Sequence, residues 1–169
     1  MRQLTRRLCV RFVERTDERH YVAVGKRREL GCSSVVGRQP DASGGQTLNL
    51  RSPECLQQAG VIQHELLHAL GLMHEQARPD RDGHVRVLWE NIHPDYKSDF
   101  EKAPEEYVST YGVPYDYASI MHYPNNAFSK NKKNTIIAKD NPNLQLGQRN
   151  SPTEKDLEKV RRMYNCASS

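Results

Sequence analysis

The stretch His64-Glu65-Leu66-Leu67-His68-Ala69-Leu70-Gly71-Leu72-Met73-His74 fits H-E-x-x-H-x-x-G-x-x-H. That pattern sets three imidazoles, one carboxylate and one glycine at spacings a zinc hydrolase can use. On a helix, His64 and His68 lie one above the other on a single face. Two neutral imidazole nitrogens can then approach one Zn²⁺ at about 2.0–2.1 Å. Glu65 neighbours that face, close enough to reach a metal-bound water without becoming a ligand itself. Gly71 is the residue type that enters a left-handed, helix-ending conformation at no steric cost. A chain that turns there can bring His74 back as a third ligand. Three protein ligands leave the fourth position open, as catalytic zinc sites do and structural ones do not. Histidine pairs at helical spacing are common on ordinary amphipathic helices, but five fixed residues arise by chance in a chain this long only on the order of once in ten thousand.

The elements that must position these groups can be read in outline. Residues 10–13 and 21–24 cluster or alternate β-branched and aromatic side chains and read as short strands, as do residues 32–36 and 47–50. A Gly/Pro/Asp/Ser-rich loop is expected over residues 37–46. Over residues 56–73 the positions Val61, Ile62, Leu66, Leu67, Ala69, Leu70 and Met73 follow a helical period, after Ser52-Pro53-Glu54, types that favour helix starts. A second helix is expected over about residues 154–164, with a capping box built from Ser151, Pro152 and Glu154. Residues 91–117 are aromatic and proline-punctuated, with little periodicity. The fold expected is α+β, with a small sheet above the zinc-site helix and an irregular carboxy-terminal half closing a cleft.

The 169 residues, 36% hydrophobic, suffice for one core but not two independent ones, so residues 1–169 are read as a single domain. A mean hydropathy of -0.84 and 27% charged residues mark a soluble chain, and no apolar run approaches the ~20 residues that span a bilayer. The net charge of +4 rests on dispersed clusters, Lys26-Arg27-Arg28 and Lys130-Asn131-Lys132-Lys133 among them. With no nucleic-acid motif beside them, these read as solvated surface, and no nucleic-acid partner is expected. Cys9, Cys32, Cys55 and Cys166 allow three pairings, and none forms a CxxC pair of the redox or zinc-ribbon kind. Disulfides persist in oxidising compartments, so the expected site of action is extracellular.

A second constellation, Ser119-Ile120-Met121-His122-Tyr123, lies far downstream. Together with residues 64–75 and with Arg78, Asp80, Arg81 and Asp82, it resembles the astacin family of zinc metalloendopeptidases within the metzincins. The resemblance implies a metzincin-type catalytic domain, divided into an upper part of about residues 1–74 and a lower part of about residues 75–169. It implies one Zn²⁺ per chain on His64, His68 and His74, Glu65 as general base, and polypeptide substrates bound extended in an edge-strand pairing. Met121 would be the methionine of a tight turn beneath the metal. Tyr123 would be the tyrosine that can ligate zinc and swing away to hydrogen-bond the transition state. Gly71 and Glu75 would be supporting residues, Glu75 through a buried contact with the mature amino terminus. The pairings implied are Cys9–Cys166 and Cys32–Cys55. Gly147-Gln148-Arg149 would shape the pocket for the residue after the cleaved bond.

His122 is read as structural, Arg78, Asp80, Arg81 and Asp82 as ion pairs, and His20, His84 and His93 as surface residues. Only eight residues precede Cys9, where the resemblance implies a further strand and most of a helix, so the chain is expected to be amino-terminally shortened. Residues 1–8 lack the apolar stretch of a secretory signal, and secretion is thus an expectation about the parent protein. The expected protein is a monomeric peptidase. The alternative is a non-catalytic zinc-binding or interaction domain, motivated by the short amino terminus, and the presence of Glu65 argues against it.

Overall fold

The computed structural model describes residues 1–39, 44–106 and 108–167. The chain forms two compact units, Met1–Leu72 with Arg149–Ser169, and Met73–Gln148. Part of the loop expected over residues 37–46 lies outside the described residues.

The first unit carries a short helix α1 (Arg2–Thr5), strands β1 (Val22–Gly25), β2 (Cys32–Ser34) and β3 (Gln46–Leu50), and helices α2 (Ala59–Ala69) and α3 (Glu154–Met163). The strand order is β1-β3-β2, with β1 parallel to β3 (Val22 beside Gln46) and β2 antiparallel to it (Cys32 beside Leu50). Asn49 on the central strand is buried, and its amide nitrogen donates to the carbonyls of Arg27 and Gly31, both at 2.7 Å. It thereby satisfies backbone acceptors where the chain leaves β1 and approaches β2. Helix α2 packs on β2 and β3, with Leu66 and Leu67 buried.

Three expectations need correction here. Residues 10–13 form no strand: they have no sheet partner among the described residues, and Val13 is 74% exposed. β-branched composition favours extension, but only a neighbouring edge turns extension into a strand. The zinc-site helix is shorter than its periodicity suggested, because residues 54–56 form a separate 3₁₀ turn and Gln58 is extended (φ -126°, ψ 121°) before α2 begins. Helix α3 is capped by Thr153, whose hydroxyl accepts from the Asp156 N–H while the Asp156 carboxylate accepts from the Thr153 N–H. The capping box is thus Thr153–Asp156, not one built on Ser151.

The second unit holds strands β4 (Val85–Val87) and β5 (Ile136–Ala138), paired antiparallel with Val85 beside Ala138. Around them are 3₁₀ turns at Glu75–Ala77, Arg81–Gly83, Trp89–Asn91 and Pro94–Phe100. Neither strand was expected, since three residues are too few to display an alternation. The unit's core includes a cluster of Val85, Tyr115, Ile136 and Leu146 and another of Ile92, Phe100 and Tyr123. Irregular backbone in this unit is satisfied by side chains. The Arg81 guanidinium donates to the carbonyls of Gln76 (2.8 Å) and Phe100 (2.7 Å), and the Asn125 amide to those of Ile136 and Leu144. Among the described residues, no helix is long and apolar enough to cross a membrane.

Candidate metal centre

His64, Glu65 and His68 all lie on α2 and are all buried. The two imidazole rings meet edge to face, with centroids 4.6 Å apart. His68 Nδ1 lies 2.7 Å from the carbonyl oxygen of Leu72. A carbonyl can only accept, so Nδ1 carries the ring proton and Nε2 keeps its lone pair for another partner. Burial pushes the His68 imidazole down to about 4, opposed by the Leu72 hydrogen bond and assisted by the positive charge of Arg149. At neutral pH the ring is therefore uncharged, the form a metal requires.

The end of α2 brings the third histidine back. Gly71 has φ +108°, its N–H donates to the His68 carbonyl (2.8 Å), and the Leu72 N–H reaches the Leu67 carbonyl (2.9 Å). This pair of bonds around a left-handed residue is a Schellman ending, which stops the helix and reverses the chain. His74 follows at the start of the 3₁₀ turn Glu75–Ala77. Ligating nitrogens of His64, His68 and His74 all lie within 4.8 Å of one another. Three nitrogens bound tetrahedrally to one zinc would be about 3.4 Å apart at ordinary Zn–N distances. The group therefore fits one ion after small side-chain adjustments. A set of three imidazoles and no thiolate suits Zn²⁺ with an open fourth position.

Glu65 sits between the two helical histidines in sequence. Burial raises its carboxyl to about 7, and the positive charge of Arg149 works against that rise. A carboxyl poised near neutrality is matched to moving a proton at neutral pH.

The downstream constellation forms a turn: the Met121 N–H donates to the Ser119 hydroxyl (3.0 Å) and the His122 N–H to the Ser119 carbonyl (3.1 Å). Met121 is 1% exposed, and its carbonyl accepts from the Glu75 N–H at 3.0 Å, next in sequence to His74. The Tyr123 ring lies 4.5 Å from that of His74 and meets Phe100 (5.6 Å) and Phe128 (5.5 Å) edge-on. Glu75 is buried, with Oε1 accepting from Arg78 (3.1 Å) and from the Asp116 N–H (2.9 Å). Arg78 also grips both oxygens of Asp80, at 2.8 and 2.7 Å, and Arg81 pairs with Asp82 at 2.7 Å. The polar run after the third histidine is thus an ion-paired frame.

His122 is fully buried, donating from Nδ1 to the Tyr123 carbonyl (2.8 Å) and accepting from the Tyr115 hydroxyl at Nε2 (2.8 Å). His93 is exposed, whereas His20 and His84 are half-buried, His84 stacked on Tyr115 with ring centroids 4.5 Å apart. All three were read as surface residues for want of ligand-like spacing, and His20 and His84 are more enclosed than that reading implied. Sequence reasoning also missed Gln76, Phe100 and Phe128, which surround Tyr123 without any recognisable spacing relative to it. Sulfur pairing resolves the three possibilities: Cys9 is bridged to Cys166 and Cys32 to Cys55.

This α+β arrangement, with a histidine-bearing helix ended by glycine and a methionine turn downstream, is that of a metzincin-type catalytic domain. The family model described as Astacin, a peptidase family, matches residues 1–165, and the chain belongs to that family. It is 46% identical over 159 residues to zinc metalloproteinase nas-14 of Caenorhabditis elegans, covering 94% of this chain and 31% of that protein. It is 41% identical over 166 residues to the low choriolytic enzyme of Oryzias latipes, covering 98% of this chain and 58% of the enzyme. The solved structure of high choriolytic enzyme 1, a hatching enzyme zinc-protease from the same fish, superposes with a TM-score of 0.89 at 41% identity, covering 98% of this chain and 79% of that one. The chain thus spans 31% and 58% of the length of these two curated relatives. Its cofactor is Zn²⁺.

Proposed function

We propose that residues 1–169 form one peptidase domain, a zinc-dependent endopeptidase that hydrolyses peptide bonds of polypeptide substrates. The observation that carries this reading is the convergence of three histidine nitrogens within 4.8 Å, with the buried Glu65 carboxyl beside two of them on α2. His64, His68 and His74 hold the metal. When bound, zinc polarises the scissile carbonyl and acidifies the attacking water. The Glu65 carboxylate takes that water's proton as the oxygen bonds to the carbonyl carbon. It then delivers the proton to the amine nitrogen as the C–N bond breaks. The Tyr123 hydroxyl donates a hydrogen bond to the carbonyl oxygen as it gains negative charge. Met121 is an apolar support whose backbone holds Glu75, and Gly71 turns the chain toward His74. Two disulfides support an extracellular site of action.

The test is cleavage of a broad fluorogenic peptide library by the purified, oxidised protein with zinc, beside Glu65→Ala. Turnover by the parent, its loss in Glu65→Ala and on chelation, and its return with added zinc are expected. Retained zinc with no turnover in either protein would sink the enzymatic reading in favour of a zinc-binding domain.

A further inference from the structure

Tyr123 is held by its backbone more tightly than a turn residue needs to be. Its N–H donates to Gln76 Oε1 at 3.0 Å, across a separation of 47 residues. Its carbonyl accepts from His122 Nδ1, and the Tyr115 hydroxyl holds that imidazole from the other side. The ring projects among His74, Phe100 and Phe128. Gln76 is 0% exposed, and its own carbonyl is fixed by the Arg81 guanidinium at 2.8 Å. Its amide cannot be turned over, because that would set Nε2 against the Tyr123 N–H, donor against donor. Held this way round, Nε2 is buried without a hydrogen-bond partner among the described residues.

We infer that Gln76 is a positioning residue for Tyr123, clamping the Tyr123 backbone so that its hydroxyl is presented to the developing oxyanion. This rests on the reading of Tyr123 as the hydroxyl donor. Gln76 sits in the 3₁₀ turn Glu75–Ala77, directly after His74. One short turn therefore carries a metal ligand and, two residues on, the acceptor that places the tyrosine. The frame that locates the metal also locates the hydroxyl, and their separation is set by covalent geometry plus one hydrogen bond. A displacement of about 1 Å at a catalytic group is enough for a hundredfold loss of rate.

A double-mutant cycle with Gln76→Met and Tyr123→Phe on a peptide substrate tests the clamp. Methionine keeps the shape of glutamine and loses the strong acceptor. Gln76→Met is expected to lower kcat about tenfold with KM within about twofold and zinc content unchanged. In the Tyr123→Phe background it is expected to lower kcat no further. Gln76→Glu, which retains an oxygen acceptor, is expected to keep most of the parental kcat, and Gln76→Leu serves as the acceptor-free test variant if Gln76→Met does not fold. Equal losses of kcat in both backgrounds, or an unchanged kcat in Gln76→Met, would overturn the inference. An unchanged kcat in Tyr123→Phe alone would instead refute the role given to Tyr123.

Discussion

Burial decides what the individual side chains of the centre can do. Removing Glu65 from water raises its carboxyl to about 7, and removing His68 from water lowers its imidazole to about 4. Both shifts have one cause, the cost of a charge in a poorly hydrated place, and opposite signs because the charged form is the base in one and the acid in the other. Together they leave a neutral imidazole able to ligate and a carboxyl able to exchange a proton near neutrality. In its proposed role as base Glu65 must be deprotonated, so the proposed activity is expected to fall as pH drops through its ionisation. A bound dication can only lower that value. The acidic limb of kcat/KM against pH is therefore expected at or below about 7, and a limb centred above about 8 would exclude Glu65 as the ionising group. Alongside these groups, Arg78 joins Glu75 and Asp80 in an ion-paired frame, and the guanidinium holds the Asp80 carboxyl below its ordinary range.

Among the elements, α2 and its ending matter most. The helix supplies His64 and His68 in register, and the left-handed residue that stops it redirects the chain toward His74. A Cβ at position 71 would stand 3.0 Å from the Met163 sulfur of α3, which can move, but the backbone at φ +108° cannot relax without opening the Schellman bonds. Gly71→Ala is expected to destabilise by about 1–3 kcal/mol in urea denaturation and to weaken zinc binding. An unaltered midpoint would show that the turn tolerates a side chain. Gly60, in the first turn of α2, is constrained differently: an added Cβ would fall 1.9 Å from the Arg149 carbonyl oxygen, where the backbone returns alongside the helix. That contact keeps the Arg149 charge near Glu65 and His68, where it lowers both.

At the scale of the molecule, the chain ends belong together. Residues Arg149–Ser169 group with Met1–Leu72, and the Cys9–Cys166 bridge ties them across 157 residues. The Tyr164 hydroxyl donates to the Leu70 carbonyl (3.1 Å), so the segment after α3 packs where α2 ends. In the chain-entropy account a closure this long restrains the unfolded state by about 4–5 kcal/mol, and the 23-residue separation of Cys32–Cys55 by less. Cys9→Ser with Cys166→Ser is expected to lower unfolding free energy by about 2–5 kcal/mol, read from the denaturation midpoint. A change below about 0.5 kcal/mol would mean that packing around α3 alone holds the ends together.

The H-E-x-x-H-x-x-G-x-x-H run determined its own geometry, because i to i+4 stacking and a glycine-ended helix depend on neighbours in the chain. The helix, its histidines and its stop could therefore be read from residues 64–74 alone, and most of the upper sheet from short β-branched runs. Residues 10–13 had the same composition and became no strand, and residues 85–87 and 136–138 became strands with no pattern to announce them. Pairing partners far along the chain decided both outcomes. The three sulfur pairings were equivalent by spacing until the fold brought Cys9 to Cys166. Tyr123 was legible as a residue type through resemblance, but its hold by Gln76, Phe100 and Phe128 was not. Contacts over such separations are selected by packing and by the need to pair most buried polar groups, and no local spacing encodes them.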